Sequence, residues 1–552
     1  MPEISRRTLL RSIGVASAAV AAPTLLTSCS TSGSGGSASN RGADLAPWPT
    51  YIPKTGPAPD LKGDPKTGVQ DAYLTYPDKL TKGTSGVPGD GSTLKVMTVT
   101  FGVTPKPEAQ NKYWQAMEKA LGVKIDFTTV PAADFQSKLA TVMAGNDLPD
   151  VLNLAGSANI AREGEFIVKT MANLSDFLSG DAIKDYPNLA NIPTESWKGV
   201  GRFHGGIYGI PIHRPRPVTA LWINGTSFEK QGYRLGDSDY SRDDFTEIVS
   251  SLTRGKRYGT GASKDNPFGW WAHAQAHGVP NTWSHSNGKF TSYFESDRFE
   301  EMLSYLNSLW KKKLYFPEST SISGVDLTTR FYNGTVQSYM GGFSAYLTTL
   351  KMVHGFDAMP MTPYAPKGIT PANWASKGYF GYTVINKKMS TSKIKMVLRV
   401  LDHLASPFGT EEYQRMHYGV EGVHFTYNKD GDPMPTKLGG TENITNLPFY
   451  YLCDAPQVLY VPGAQSGIRS LHAWEKQVCP GMVNDASAGL RSATYSTRWA
   501  TLARGIDDSI TAIVTGRQPL SSWGAAAKKF KSGGGGKIAE EYAEEYAANS
   551  AK

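Results

Sequence analysis

Cys29 ends the first stretch of this chain whose residue types announce chemistry. It follows Leu26-Thr27-Ser28, the leucine-spacer-small pattern at which a thiol is lipidated and the cysteine becomes the new N-terminus. Upstream, Arg6-Arg7 precedes a run of Val, Ala and Ile, which reads as a twin-arginine export signal, with Leu9 where Phe is usual. Three other groupings have suggestive spacing. Ser390-Thr391-Ser392-Lys393 matches Ser-x-x-Lys, yet Lys-Thr-Gly occurs only before it, at Lys54 and Lys66, and no Ser-Asp-Asn lies between, so acyl transfer of the penicillin-binding type fails on order. Ser392 reads instead as a helix N-cap. His273 and His277 lie four apart with His285 nearby, but no Glu follows His273 as a zincin requires, so no metal is expected. Asn428-Lys429-Asp430-Gly431-Asp432 puts glycine at loop position four and Gly439 at position twelve, which fits a hairpin turn better than a calcium loop.

No Gly-x-Ser-x-Gly elbow occurs, and no catalysis and no cofactor are expected. Glycosidase carboxylates need only be close in space, so spacing does not decide them. The 57 basic and 49 acidic residues are interspersed and give a net charge of +8, or +6 once residues 1–28 are removed. That balance does not suit a nucleic-acid partner. Two cysteines remain after Cys29, Cys453 and Cys479. An oxidising exterior lets them pair, and the reading leaves open a disulfide or two buried thiols.

Elements must position whatever site there is. Residues 29–43 begin with small polar residues that act as a tether. Residues 44–91 are dense in Pro and Gly, but Trp48, Tyr51, Tyr73 and Tyr76 mark an arm wrapped on the body. Leu94–Thr100 reads as a strand, Asn111–Leu121 as a helix ended by Gly122, Val123–Phe127 as a strand, Phe135–Met143 as a helix and Asp150–Leu154 as a third strand: a βαβαβ unit with a parallel sheet. Val218–Asn224, Phe356–Met361 and Tyr382–Ile385 read as further strands. Asp243–Leu252, Asp297–Lys311, Lys393–Leu404 and Ile538–Ala548 read as helices, with a hinge-like glycine run at Gly533–Gly536.

Four stretches carry a family resemblance: Trp114 to Val151 with Gly145-Asn146-Asp147-Leu148-Pro149-Asp150; Gly206-Ile207-Tyr208-Gly209-Ile210-Pro211; Tyr418-Gly419-Val420-Glu421-Gly422; and Thr515-Gly516-Arg517-Gln518-Pro519-Leu520-Ser521-Ser522-Trp523. In this order the chain resembles the extracellular solute-binding proteins of bacterial ABC importers, in the carbohydrate-binding family 1 branch that includes LplA-type lipoproteins and alginate-oligosaccharide binders. Residues 232–290 match no calcium-binding insert of the alginate-binding members. The resemblance implies an α/β, two-lobed periplasmic-binding-protein fold of class II type. Each lobe would be a mostly parallel sheet flanked by helices, the lobes joined by a hinge, with a helical C-terminal region. The division expected is 1–28 signal, 29–43 tether, 44–91 arm, 92–215 and 360–405 lobe 1, and 216–359 and 406–552 lobe 2.

Such a fold closes on ligand at the carboxyl ends of its strands. Sugars present C–H faces to flat aromatics and hydroxyls to polar groups. Trp270, Trp271 and Trp283 flank a loop rich in His and Asn, and Trp374 and Tyr379-Phe380 lie in the connection between lobes. The resemblance adds Phe343, in Gly341-Gly342-Phe343-Ser344-Ala345-Tyr346, and Ser157 and Asn159 past the third strand. Arg214, in His213-Arg214-Pro215-Arg216-Pro217, suits a uronate carboxylate or sugar hydroxyls, or else serves the hinge. The implied partners are an oligosaccharide, ABC permease subunits and, through the N-terminal lipid, the membrane. The expected place is the extracytoplasmic face of that membrane, and the expected state is a monomer. A peptide or small polar solute as cargo, and a surface scaffold or adhesin without transport, are the other readings.

Overall fold

Among the described residues twelve strands make two sheets and two small hairpins: β1 (Thr93–Thr100), β2 (Lys124–Pro131), β3 (Val151–Ala155), β4 (Ile210–His213), β5 (Thr219–Asn224), β6 (Trp283–Ser286), β7 (Lys289–Ser292), β8 (Ser338–Gly342), β9 (Ala358–Pro360), β10 (Tyr379–Ile385), β11 (Phe425–Tyr427) and β12 (Pro433–Pro435). The computed structural model describes residues 38–145, 147–155, 160–237, 240–442 and 447–550. Cys29, Ser157, Asn159 and residues 1–37 lie outside them.

The first sheet runs β2-β1-β3-β10-β4. β1 is parallel to β2 and β3, and β10 is antiparallel to β3 and β4. The local signals are those of the sequence. Asn111 caps the helix Lys112–Leu121 by accepting from the Trp114 N–H, and Gly122 closes it at φ +65°, a conformation that penalises any Cβ. β1 is buried on both faces, as a parallel strand requires. Leu94 and Val96 pack with Trp114, Leu121 and Leu401, while Met97 and Val99 pack with Leu139, Leu152 and Val384.

The second sheet is β8-β5-β9, and both its ladders are antiparallel, where a mostly parallel sheet is expected. Its parallel members survive as single bridges: Gly261 to Tyr339, Tyr258 to Val336 and Thr260 to Tyr315. The order 315-260-β8-β5-β9 therefore repeats the first sheet's pattern of two parallel and two antiparallel neighbours. In each sheet the antiparallel strand is the one entered from the crossing between sheets, β10 in the first and β5 in the second. Gly259 and Gly261 leave no room for a Cβ beside Val249, Leu327 and Val336, and glycine gives this stretch little β propensity.

Each sheet has its own core. Around the second, Ile223, Phe245, Phe299 and Met359 pack with the helix Ala493–Val514 through Ile506 and Ile510. Trp222 and Tyr339 pack on the other face with Leu471 and Trp474 of the helix Gln465–Val478. Residues 406–455 belong elsewhere than the expected division places them: Met416, Leu447, Phe449, Leu452 and Cys453 enter the first-lobe core. Their apolar side chains complete a face that the helix Thr391–Leu404 leaves open. The cap of that helix is Ser390, which accepts from the Lys393 N–H, rather than Ser392. The run Gly533–Gly536 is no hinge either. It lies in and beside a π-helical turn, Lys531–Gly535, packed against Leu502 and Arg498.

Cys453 and Cys479 are both free and buried. They stand in the cores of different sheets, which excludes a disulfide between them. The arm is wrapped as its aromatics suggest. Arg202 lies 3.9 Å over Trp48, the Ile52 N–H donates to Ala190, Val69 and Ala72 enter the second-lobe core, and Thr81 bridges to Thr410. The arm touches the first lobe, then the second, then the first again.

Candidate functional site

Three segments cross between the sheets. Residues 213–219 and 374–379 run antiparallel: the Arg214 N–H donates to Gly378 at 3.0 Å, the Ser376 N–H to Arg216 at 2.7 Å, and Pro217 bridges to Ala375. The third, near Gln457, is tied to the first by the Gln457 N–H, which donates to His213 Nδ1 at 3.2 Å. Burial pushes the His213 imidazole down to about 3, so it is neutral, with Nδ1 free to accept.

The carboxyl edge of the first sheet opens beside these crossings. Phe101 follows the last residue of β1, Phe380 stands at the start of β10, and Tyr450 and Tyr451 lead into the third crossing. Phe380 stacks on Tyr451 at 4.9 Å, and Phe101 meets both edge-on, at 6.2 Å from Phe380 and 5.8 Å from Tyr451. Phe101 is 56% exposed. The Arg214 guanidinium lies 4.6 Å from the Phe380 ring centroid. That contact holds the cation in place without using its N–H groups. Burial raises the Tyr450 and Tyr451 hydroxyls above the usual phenol range, so both stay protonated and able to donate.

On the second lobe the chain enters the helix Trp270–Ala276 through two left-handed residues, Phe268 at φ +58° and Gly269 at φ +63°. A left-handed Phe is costly. Here it is held by Trp310 and Tyr315, each 5.4 Å from its ring, and by the Tyr315 hydroxyl donating to its carbonyl at 2.9 Å. The turn sends Trp270 inward and leaves Trp271 37% exposed. Trp271 rests against Trp374 at 6.3 Å, and the same helix reaches β5 through Gln275 Nε2, which donates to Thr219 Oγ1 at 2.9 Å. Gln275 Oε1 also accepts from the Trp374 N–H at 2.8 Å. Trp271 and Phe380 are thus aromatic surfaces at the two ends of one crossing. Residues 374 and 380 stand at most ~20 Å apart by chain reach.

Of the side chains proposed from sequence, four belong to the core. Trp374 donates its indole N–H to Val279. Trp270 packs among Tyr293, Phe294 and Phe299, and Trp283 against Phe530 and Tyr542. Phe343 stacks on Trp474 at 5.3 Å. All four are nearly inaccessible and present no face to a ligand; in each case a neighbouring aromatic from a distant segment takes the ring. Tyr379 is half-buried, its ring 6.4 Å from Tyr382. Arg214 and Trp271 stand in the open positions described. Phe101 and Tyr451 were not singled out from sequence. Phe101 had a usable signal, since it directly follows a readable strand end. The Tyr450-Tyr451 pair has no periodicity to place it.

The remaining motifs are structural. Lys393 Nζ pairs with Asp90 at 2.8 Å. His273 Nδ1 meets the Tyr364 hydroxyl, and His277 Nδ1 meets the His273 carbonyl at 2.7 Å. Burial pushes these imidazoles down to about 3 and about 4. His285 stacks on Phe290 and Tyr546. Asp432 accepts from the Tyr460 hydroxyl and from the Tyr76 and Gly463 N–H groups, at the turn of the hairpin Phe425–Tyr427 with Pro433–Pro435. Among the described residues no group of His, Cys, Asp or Glu could hold a metal ion.

Two sheets of matching order, three crossings and an aromatic-lined edge are the geometry of a solute trap, and the family comparison agrees. The model of the family described as bacterial extracellular solute-binding protein matches residues 104–391, just over half of the chain. The chain belongs to the bacterial extracellular solute-binding proteins. This is a family of receptors without catalysis, and a two-lobed fold is its architecture. Among curated relatives, the polygalacturonan/rhamnogalacturonan-binding protein YtcQ of Bacillus subtilis is 23% identical over 78% of this chain and 87% of its own. Among solved structures, an HMO-binding, ABC-transporter-associated solute-binding protein of Bifidobacterium longum infantis aligns with a TM-score of 0.62 at 13% identity, covering 83% of this chain and 99% of that one. The alginate-binding protein AlgQ2 without calcium ion aligns at 0.61 and 15%, covering 85% and 100%. Among the described residues no helix is long and apolar enough to cross a membrane.

Proposed function

We propose that this solute-binding protein captures an oligosaccharide between its two lobes and delivers it to an ABC permease. The observation that carries the reading is a pair of aromatic surfaces, the exposed Phe101 with Phe380 and Arg214 on one lobe and the exposed Trp271 on the other, at the ends of a shared crossing. Flat rings suit sugar C–H faces, and the guanidinium and phenols suit hydroxyls. The names of YtcQ and of the HMO-binding and alginate-binding structures support a carbohydrate cargo. A ligand that touches both lobes makes its full set of contacts only in the closed state, and that difference shifts the open and closed populations toward closure.

The lobes in this reading comprise residues 92–215 with 379–455, and 216–375 with 459–550. The protein is exported through Arg6-Arg7, lipidated at Cys29 and held as a monomer on the extracytoplasmic face by the tether that follows. The test of cargo is calorimetric titration of the purified protein with neutral and acidic oligosaccharides and with short peptides. Saturable binding of an oligosaccharide, weakened by Phe380→Ala and by Trp271→Ala, supports the reading. Binding of peptides alone overturns it. Mass spectrometry of the membrane-bound protein tests the anchor, which predicts a diacylated peptide beginning at Cys29 that is lost in Cys29→Ser.

A further inference from the structure

We infer that the cargo is an acidic oligosaccharide and that Arg214 is the side chain that receives its carboxylate. The inference deepens the oligosaccharide reading and rests on it. Arg214 follows β4 at the carboxyl edge of the first sheet, where cargo would enter. Among the described residues its guanidinium makes one hydrogen bond, from Nη1 to the neighbouring His213 carbonyl at 3.2 Å. Among the described residues no carboxylate oxygen lies within 4.0 Å of its guanidinium. Asp454, whose charge reaches Tyr450 and Tyr451 as Arg214's does, is taken by His417 at 3.0 Å and by the Ala455 N–H. His213 is neutral, so it neither screens nor competes. The groups around the guanidinium are aromatic: the Phe380 face and the phenols of Tyr346, Tyr450 and Tyr451.

Arg214 is half-buried before any ligand arrives. Closing the lobes on a neutral sugar would strip more water from a cation that has no counter-ion, and such burial is costly. A carboxylate removes that cost and presents the two parallel acceptors that a guanidinium fork matches. Phe101, the exposed ring of the cluster, suits the C–H face of the same sugar. The assignment follows: the uronate carboxylate on Arg214, its ring on the exposed Phe101, and further sugar units toward Trp271.

Matched probes test the inference. Trigalacturonate and trimannuronate are titrated beside their full methyl esters, which keep the sugar and remove the charge, and beside neutral galacto-, manno- and fructo-oligosaccharides. The expected result is a preference for an acid over its ester of roughly tenfold to a hundredfold in the native protein, which shrinks as salt rises. Arg214→Gln should cut that ratio to within about threefold, with Arg214→Lys between, since lysine keeps the charge but loses the fork. Circular dichroism and melting of each variant show that it is folded. Equal affinity for acid and ester, or an acid preference unchanged in Arg214→Gln, overturns the assignment. So does binding of neutral oligosaccharides alone, which leaves the oligosaccharide reading intact. Failure of every oligosaccharide to bind overturns both.

Discussion

Glu475→Gln should stabilise the protein, and more so as pH rises from 5 to 8. Glu475 lies on the helix Gln465–Val478, fully buried, and its Oε2 accepts the Gln70 N–H of the arm at 2.8 Å. Its Oε1 has no hydrogen-bond partner among the described residues. Burial pushes this carboxyl from 4.5 up to about 8, so at neutral pH it is protonated in the folded state and ionised in the unfolded one. A raised folded value means a contribution that is complete below 4.5 and is lost as pH climbs through about 8. The slope in that window is about 1.4 kcal/mol per pH unit. At pH 7 the accumulated loss is roughly 3–4 kcal/mol. Glutamine keeps an acceptor for the Gln70 N–H and cannot ionise, so the variant escapes the loss. Urea unfolding of both proteins, followed by tryptophan fluorescence at pH 5, 6, 7 and 8, reads the difference directly, because all other titrating groups are common to both. Curves that run parallel from pH 5 to 8, or a variant less stable at pH 8, would refute the argument.

The rings divide by role: Trp271→Ala should weaken oligosaccharide binding by about tenfold or more with little change in melting, whereas Trp374→Ala should cost about 3–5 kcal/mol of stability, as calorimetry of both variants will show. On the acid side, His273 and His277 are held at about 3 and about 4, so their contribution is present above 6.5 and is lost as pH falls through those values. His277→Phe should therefore flatten the fall in stability between pH 6.5 and 4 by up to about 1.4 kcal/mol per pH unit, measured by the same urea titration. Cys453 and Cys479, buried and with thiols raised above the usual range, should be inert to a thiol reagent in the native protein and both react in urea. Asn40 donates to Glu545 on the C-terminal helix and accepts from the Gly205 N–H, so Asn40→Ala should release the start of the arm, seen as faster proteolytic cutting near residues 38–50.

Much of the fold was readable because its signals are local. The strand and helix pattern from Leu94 to Leu154 follows from β-branched runs, helical stripes and two punctuating residues, Asn111 and Gly122. Serine capping and the apolar stripe Phe299-Met302-Leu303-Leu306 likewise delimit Asp297–Lys311. What escaped depends on distant partners. Trp283 looks like a loop aromatic until Phe530 and Tyr542 arrive from the C-terminus, and Phe343 until Trp474 covers it. Leu447, Phe449 and Cys453 pack in the first core because the chain stays with that sheet until the third crossing near Gln457, and no local pattern marks where that crossing comes. The candidate site was legible where a residue sits at a strand end, as with Arg214, and illegible where stacking between segments creates the surface, as with Phe380 on Tyr451.

The most direct test of the central claim is a crystal structure of the protein with a bound oligosaccharide. The account predicts sugar rings between the lobes, one on Phe101 beside Phe380 and Arg214 and another reaching Trp271. An oligosaccharide that touches only one lobe, or that lies away from the crossings with Phe101 and Trp271 both uncovered, would contradict it.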